Sequence, residues 1–102
     1  MAHENVELVR RFCTAFGSRD PDQVLEFFTD DAVYYNMPMQ PVQGKAAIRP
    51  ILEMFLKPAQ RVEFVVLNAA ADGDVVLTER LDKFVMGGRD VALPVAGVFE
   101  IR

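Results

Sequence analysis

The stretch RVEFVVLNAAADGDVVLTERLDKFVMGGRDVALPVAGVFEI, residues 61–101, decides the fold. Apolar residues recur along it with a period of two, the repeat of a strand with one buried face. Turn chemistry cuts the run twice, at Asp72-Gly73 and at Gly87-Gly88, pairs that tolerate the backbone of a tight hairpin. The pattern predicts strands over 61–69, 74–86 and 89–101, joined as an antiparallel meander.

Upstream the repeat becomes helical. Val6, Val9, Phe12, Cys13 and Phe16 paint one face of a helix running from Glu4 to Gly17, with Gly17 as its stop. Asp20 as N-cap, Pro21 at the first helical position and Gln23 three residues after the cap begin a second helix over 21–28. Val24, Leu25 and Phe28 pack it on the first. Residues 32–36 read as a short strand, which the two prolines of Met37-Pro38-Met39-Gln40-Pro41 cannot continue. After Gly44 a third helix is predicted over 45–57, with Ile48, Ile51, Leu52, Phe55 and Leu56 on its buried side. Pro50 removes one backbone hydrogen bond there and should kink the helix early. Helices followed by a meander make an α+β arrangement: N-terminal helices packed on a curved antiparallel sheet, forming a cone with an apolar pocket.

Length and composition agree with one domain spanning residues 1–102. A chain of 102 residues that is 51% hydrophobic can pack a modest core and is not a disordered sequence. Fifteen acidic against eleven basic residues give a net charge of −4. That balance offers no footprint for nucleic acid and is too mild for an acidic tail. The lone Cys13 cannot form an internal disulfide, the N-terminus has no apolar signal core, and no apolar run is long enough to span a bilayer. The expectation is a cytoplasmic protein with no membrane partner.

The supply of nucleophiles and metal ligands is thin. His3 sits in what should be a frayed terminus, Ser18 in an interhelix loop, and Cys13 on the apolar helix face, where a packed thiol is the simpler reading. A Ser-His-Asp or Cys-His constellation, a zinc site and a phosphate loop all lack their residues. No metal or cofactor is expected. Any catalysis must rest on carboxylates, Arg, Tyr, amides and water.

Two pairs then stand out. Tyr34 and Asn36 lie two apart on the short strand, and Arg80 and Asp82 two apart on the long one, each pair on one face. The face of Arg80 and Asp82 continues through Val76, Thr78 and Phe84, so the charges have apolar flanks, where they are costly unless paired. The opposite face carries Leu77, Leu81 and Val85 with Glu79 and Lys83. Periodicity does not say which face points inward, and a solvated cross-strand pair remains the alternative. For Tyr34 and Asn36 the alternative is a half-buried strand end leading into a turn.

Tyr34-Tyr35-Asn36-Met37-Pro38 resembles the Tyr-x-Asn-Met-Pro segment of the limonene-1,2-epoxide hydrolases. Thr78-Glu79-Arg80-Leu81-Asp82 is similar to their Thr-Glu-Arg-x-Asp strand, and Gly97-Val98-Phe99 to the Gly-Val-Phe of the strand that follows. The resemblance implies the nuclear-transport-factor-like cone fold and one-step addition of water to an epoxide without cofactor, metal or covalent intermediate. It implies that Asp82 protonates the opening oxirane oxygen, that Arg80 links Asp82 to a second carboxylate, and that Tyr34 and Asn36 hold the attacking water. By strand parity Phe84, Leu93 and Val95 are candidates to line the substrate pocket, with Met37 and Met39 near its mouth. A small apolar epoxide and water are the expected partners, with a homodimer implied by the same resemblance.

One departure matters. In that family a further strand carries a Trp-Arg-Asp-Tyr-Phe segment whose Asp activates the water, and the present residues contain no Trp. The expectation is a domain lacking its last strand and its base, with the open edge at 99–102 favouring a longer enzyme over a remnant. The alternatives are an isomerase or cyclase on the same cone, and a non-catalytic ligand-binding or dimerisation module.

Overall fold

The three long strands form one antiparallel sheet. The computed structural model describes residues 2–36 and 39–102. In it β3 (Arg61–Asp72), β4 (Val75–Met86) and β5 (Arg89–Glu100) lie in the order β3-β4-β5. At the second turn Met86 pairs with Arg89, and Gly87 and Gly88 both take positive φ, 57° and 77°. Those angles suit a two-residue primed turn, whose twist matches that of the strands.

β3 runs three residues further than the periodicity predicts, because Ala70, Ala71 and Asp72 pair with Leu77, Val76 and Val75. It also carries a bulge that the alternation does not announce. The register slips between Val66 and Asn68, leaving Leu67 as the extra residue, 48% exposed. A bulge exchanges the faces of a strand. Even-numbered residues face inward up to Val66, and Ala69 and Ala71 take over opposite Thr78 and Val76.

The helices sit on the inner face of this sheet. α1 (Ala2–Ala15) crosses β3 and β4 and closes through a 3-10 turn, Phe16–Ser18. Its stop is not Gly17, which lies inside that turn, but Arg19, left-handed at φ 58°. The Arg19 N–H donates to the Phe16 carbonyl at 3.1 Å and its Nη1 to the Ala59 carbonyl at 2.7 Å, bonds that offset the backbone strain. α2 (Pro21–Leu25) starts as expected, with the Asp20 carboxylate accepting from the Asp22 N–H at 2.9 Å. It is shorter than 21–28, because the N–H groups of Phe27 and Phe28 bond three residues back and tighten the chain into a turn.

The first strand, β1 (Val33–Tyr34), is also shorter than 32–36 and pairs with a strand absent from the sequence reading, β2 (Val42–Gln43). α3 (Lys45–Leu56) passes through Pro50, which stands on its exposed side. Its opposite side buries Ile48, Leu52 and Leu56 fully, with Ile51 and Phe55 half-buried. Ile48, Leu52 and Leu56 join Phe16, Val24, Leu25, Ala59 and Val62 in the main core. A smaller cluster, Val9, Cys13 and Val76, lies under α1 against β4. Phe12 ties the two together through edge-on contacts with Phe16, Phe28 and Phe99 at 5.2–5.8 Å. Among the described residues no helix is long and apolar enough to cross a membrane.

Candidate active site

The question left open by β4, which face points inward, is decided by burial. Val76, Thr78, Arg80 and Asp82 are buried under the helices, while Leu77, Glu79 and Lys83 are exposed. The charged pair therefore stands on the inner face.

Residues two apart on a strand are separated by about 6.6 Å, a gap that the long Arg side chain closes by folding along the strand. Arg80 Nε donates to Asp82 Oδ1 and Nη2 to Oδ2, each at 3.0 Å. This two-point contact suits two groups that keep only 9% and 6% of their exposure, since each would be costly alone. Nη1 reaches Thr78 Oγ1 at a long 3.4 Å. The guanidinium carbon lies 5.2 Å from the ring centre of Phe64 and 5.8 Å from that of Phe99, so two aromatic faces replace part of the lost hydration. Burial works against the charge of Arg80, but hydrogen bonding to Asp82 and its negative charge outweigh it and hold the guanidinium above its ordinary value.

Two further groups share this field. Cys13, on α1, is 1% exposed and lies in the field of Arg80. Burial pushes the thiol up, against the pull of Arg80. Tyr34, half-buried on β1, packs edge-on against Phe28 at 6.0 Å and against the main core. Burial pushes its phenol up as well, with Arg80 lowering it and Asp82 raising it. The phenol thus holds its proton more firmly than an exposed tyrosine does.

The remaining sequence candidates are less tightly gathered. Asn36 is half-buried past the end of β1, and its carbonyl accepts from the Met39 N–H at 2.8 Å. Among the described residues no hydrogen bond joins Tyr34 or Asn36 to Arg80 or Asp82. Leu93 and Val95 pair with Asp82 and Arg80 across β4 and β5, and Phe84 meets Phe64 edge-on at 5.9 Å. Leu93 is 50% exposed, because β5 is an edge strand whose inner face is uncovered at that end. The apolar wall is an open shelf. Met39 is exposed, and Met37 lies outside the described residues. Two surface hollows, one between α1 and α2 and one between α2 and α3, contain none of these side chains.

Thr78, Cys13, Phe64 and Phe99 are the partners that sequence reasoning did not assign. Thr78 could have been found from its place two residues before Arg80. The other three reach Arg80 from separate elements, so nothing local marks them.

The profile of the SnoaL-like domain matches residues 9–102. The chain belongs to the SnoaL-like domain family. The chain is also homologous to epoxide hydrolase EphG of Mycobacterium tuberculosis, being 32% identical over 93 residues, 91% of this chain and 62% of EphG. It therefore spans under two thirds of that relative. A solved LEH-like epoxide hydrolase from M. tuberculosis superposes with a TM-score of 0.80 at 32% identity, over 99% of this chain and 75% of that one. A Shewanella putrefaciens protein assigned to the SnoaL-like polyketide cyclases superposes with a TM-score of 0.85 over 97% of this chain and 80% of that one. At 16% identity it shows the shared fold alone. This SnoaL-like domain thus has the nuclear-transport-factor-like cone expected from its helices and meander, and its relatives include epoxide hydrolases.

Proposed function

We propose that the protein adds water in one step to a small apolar epoxide and yields a vicinal diol. The observation that carries this reading is the two-point Arg80–Asp82 pair, buried on the inner face with Tyr34 in its field, in a homologue of an epoxide hydrolase. Asp82, having taken up a proton from solvent, delivers it to the ring oxygen as water attacks a ring carbon and the carbon–oxygen bond breaks, and returns to the carboxylate paired with Arg80. A carboxylate offers about four lone-pair sites and Arg80 occupies two, which leaves room for a proton without breaking the contact. Arg80 orients Asp82, and Tyr34 and Asn36 hold the water. General acid–base assistance of this kind contributes about 10²–10⁴-fold.

The water must also lose a proton. Among the described residues, the titratable groups whose field reaches Arg80 are Asp82, Cys13 and Tyr34. The family resemblance assigns that proton to a second carboxylate on a further strand, which no described residue supplies. Phe84, Leu93, Val95 and Met39 offer the substrate an apolar surface, and these described residues carry no group suited to a sugar, nucleotide or acid. Single-turnover hydrolysis in heavy-oxygen water tests the step. One-step addition puts the label in the diol and none in the protein, whereas label retained on a carboxylate contradicts it.

A second reading, an isomerase or cyclase using Asp82 with Tyr34, draws on a phenol that keeps its proton in the field of the pair. Proton exchange on a ketosteroid-type substrate supports it, and diol formation without exchange rules it out.

A second copy of the chain is the partner this reading expects, on the outer face of the β3-β4-β5 sheet. Leu77 and Val98 are 49% and 70% exposed there, and Glu63 stands in register with Lys83. Opposite charges on one face pair reciprocally across a two-fold axis. Light scattering should give twice the chain mass; a monomer at micromolar concentration contradicts this.

A further inference from the structure

We infer that Gly97 is a positioning residue, whose missing side chain makes the seat in which the Arg80 guanidinium lies. Gly97 stands on β5 opposite Thr78 and does not have positive φ, so its backbone alone does not require glycine. Space does. A Cβ at this position would lie 2.6 Å from Arg80 Nη1, 2.9 Å from Thr78 Oγ1 and 3.0 Å from Phe99 Cε1. Real Cβ atoms essentially never come within 3.0 Å of such neighbours, as the first two contacts would, and the nearest neighbour, the Arg80 guanidinium, is held on several sides.

Arg80 cannot simply retreat. Its Nε and Nη2 are held by Asp82, and the rings of Phe64 and Phe99 lie against its guanidinium carbon. A methyl group at Gly97 must therefore tilt the guanidinium and, through the two-point contact, turn the Asp82 carboxylate. Gly97 touches no reacting atom. It sets the direction in which Asp82 presents its proton, a role that rests on the epoxide reading for its reaction but not for its geometry.

Gly97→Ala in the isotope-labelled protein tests the seat through the Arg80 Nε–H signal of the proton–nitrogen correlation spectrum. The expected result is a shifted or rapidly exchanging Nε–H, with kcat for diol formation lowered at least tenfold and KM changed less than threefold. Adding Thr78→Ala vacates the space beside Nη1 and should move the signal back toward its original position. An Nε–H signal unmoved by Gly97→Ala overturns the proposal, as does a double variant displaced further than the single one. If Gly97→Ala does not fold, recovery of folding in the double variant supports the seat, and continued failure overturns it. Absence of diol formation by the unaltered protein refutes the epoxide reading, while the signal still decides the seat.

Discussion

Arg80 and Asp82, two residues apart on β4, meet through two parallel hydrogen bonds of 3.0 Å, on the face of the strand that is turned away from solvent. Such a pair is poorly replaced by half of itself. Asp82→Asn leaves a buried guanidinium short of its charge partner and should lower stability by about 3–5 kcal/mol, as for other broken buried pairs. Arg80→Met with Asp82→Leu should recover most of that loss in a denaturant titration. A double variant as unstable as the single one would mean that the pair itself holds the fold.

Arg80→Lys should behave as a severe change. An ammonium is a point charge and cannot donate along two parallel directions while lying between the rings of Phe64 and Phe99. The expected outcome is loss of most diol formation, with circular dichroism showing the fold retained. Steady-state kinetics beside the spectrum checks both.

Tyr34→Phe keeps the ring packed against Phe28 and removes only the phenol. Turnover should fall roughly tenfold, the worth of one hydrogen bond to the attacking water. The pH dependence of stability should change with it. Burial holds this phenol above its ordinary 10.0, so above that pH the unfolded chain releases the proton while the folded chain keeps it. Stability then falls as pH rises from about 10 through the folded value. Thermal melts from neutral to alkaline pH should show a weaker decline in Tyr34→Phe.

Cys13 should be protected. Its burial raises the thiol above its ordinary 9.0, and a thiol reagent must wait for the chain to open. Labelling of the folded protein should be slower than of the unfolded by roughly a thousandfold or more, the ratio set by the stability of a small domain. The same proton adds an alkaline decline beginning near pH 9, lost in Cys13→Ala. Labelling time courses with and without denaturant give the ratio.

Much of the fold was legible because its signals are local. The meander is written in period-two apolar residues and in Gly87-Gly88, and α2 in Asp20-Pro21. What was not legible depends on contacts made elsewhere. The bulge at Leu67 shows only in its pairing with β4, and β2 is two residues long beside a proline. Arg19 ends the first helical run because its side chain finds the Ala59 carbonyl, forty residues away. The inward face of β4 could not be read because both faces mix apolar and charged residues; helix packing decides it. Of the candidate site, the pairing of Arg80 with Asp82 was legible, and its surroundings, Cys13, Phe64, Phe99 and the space at Gly97, were not.

The proposed chemistry turns on Asp82 as the proton donor to an opening epoxide. Diol formation from a small apolar epoxide, followed by chromatography for the complete protein and for its Asp82→Asn variant at matched folded concentration, tests it most directly. The expected result is turnover by the first and loss of turnover in the second. Normal turnover by Asp82→Asn would contradict it.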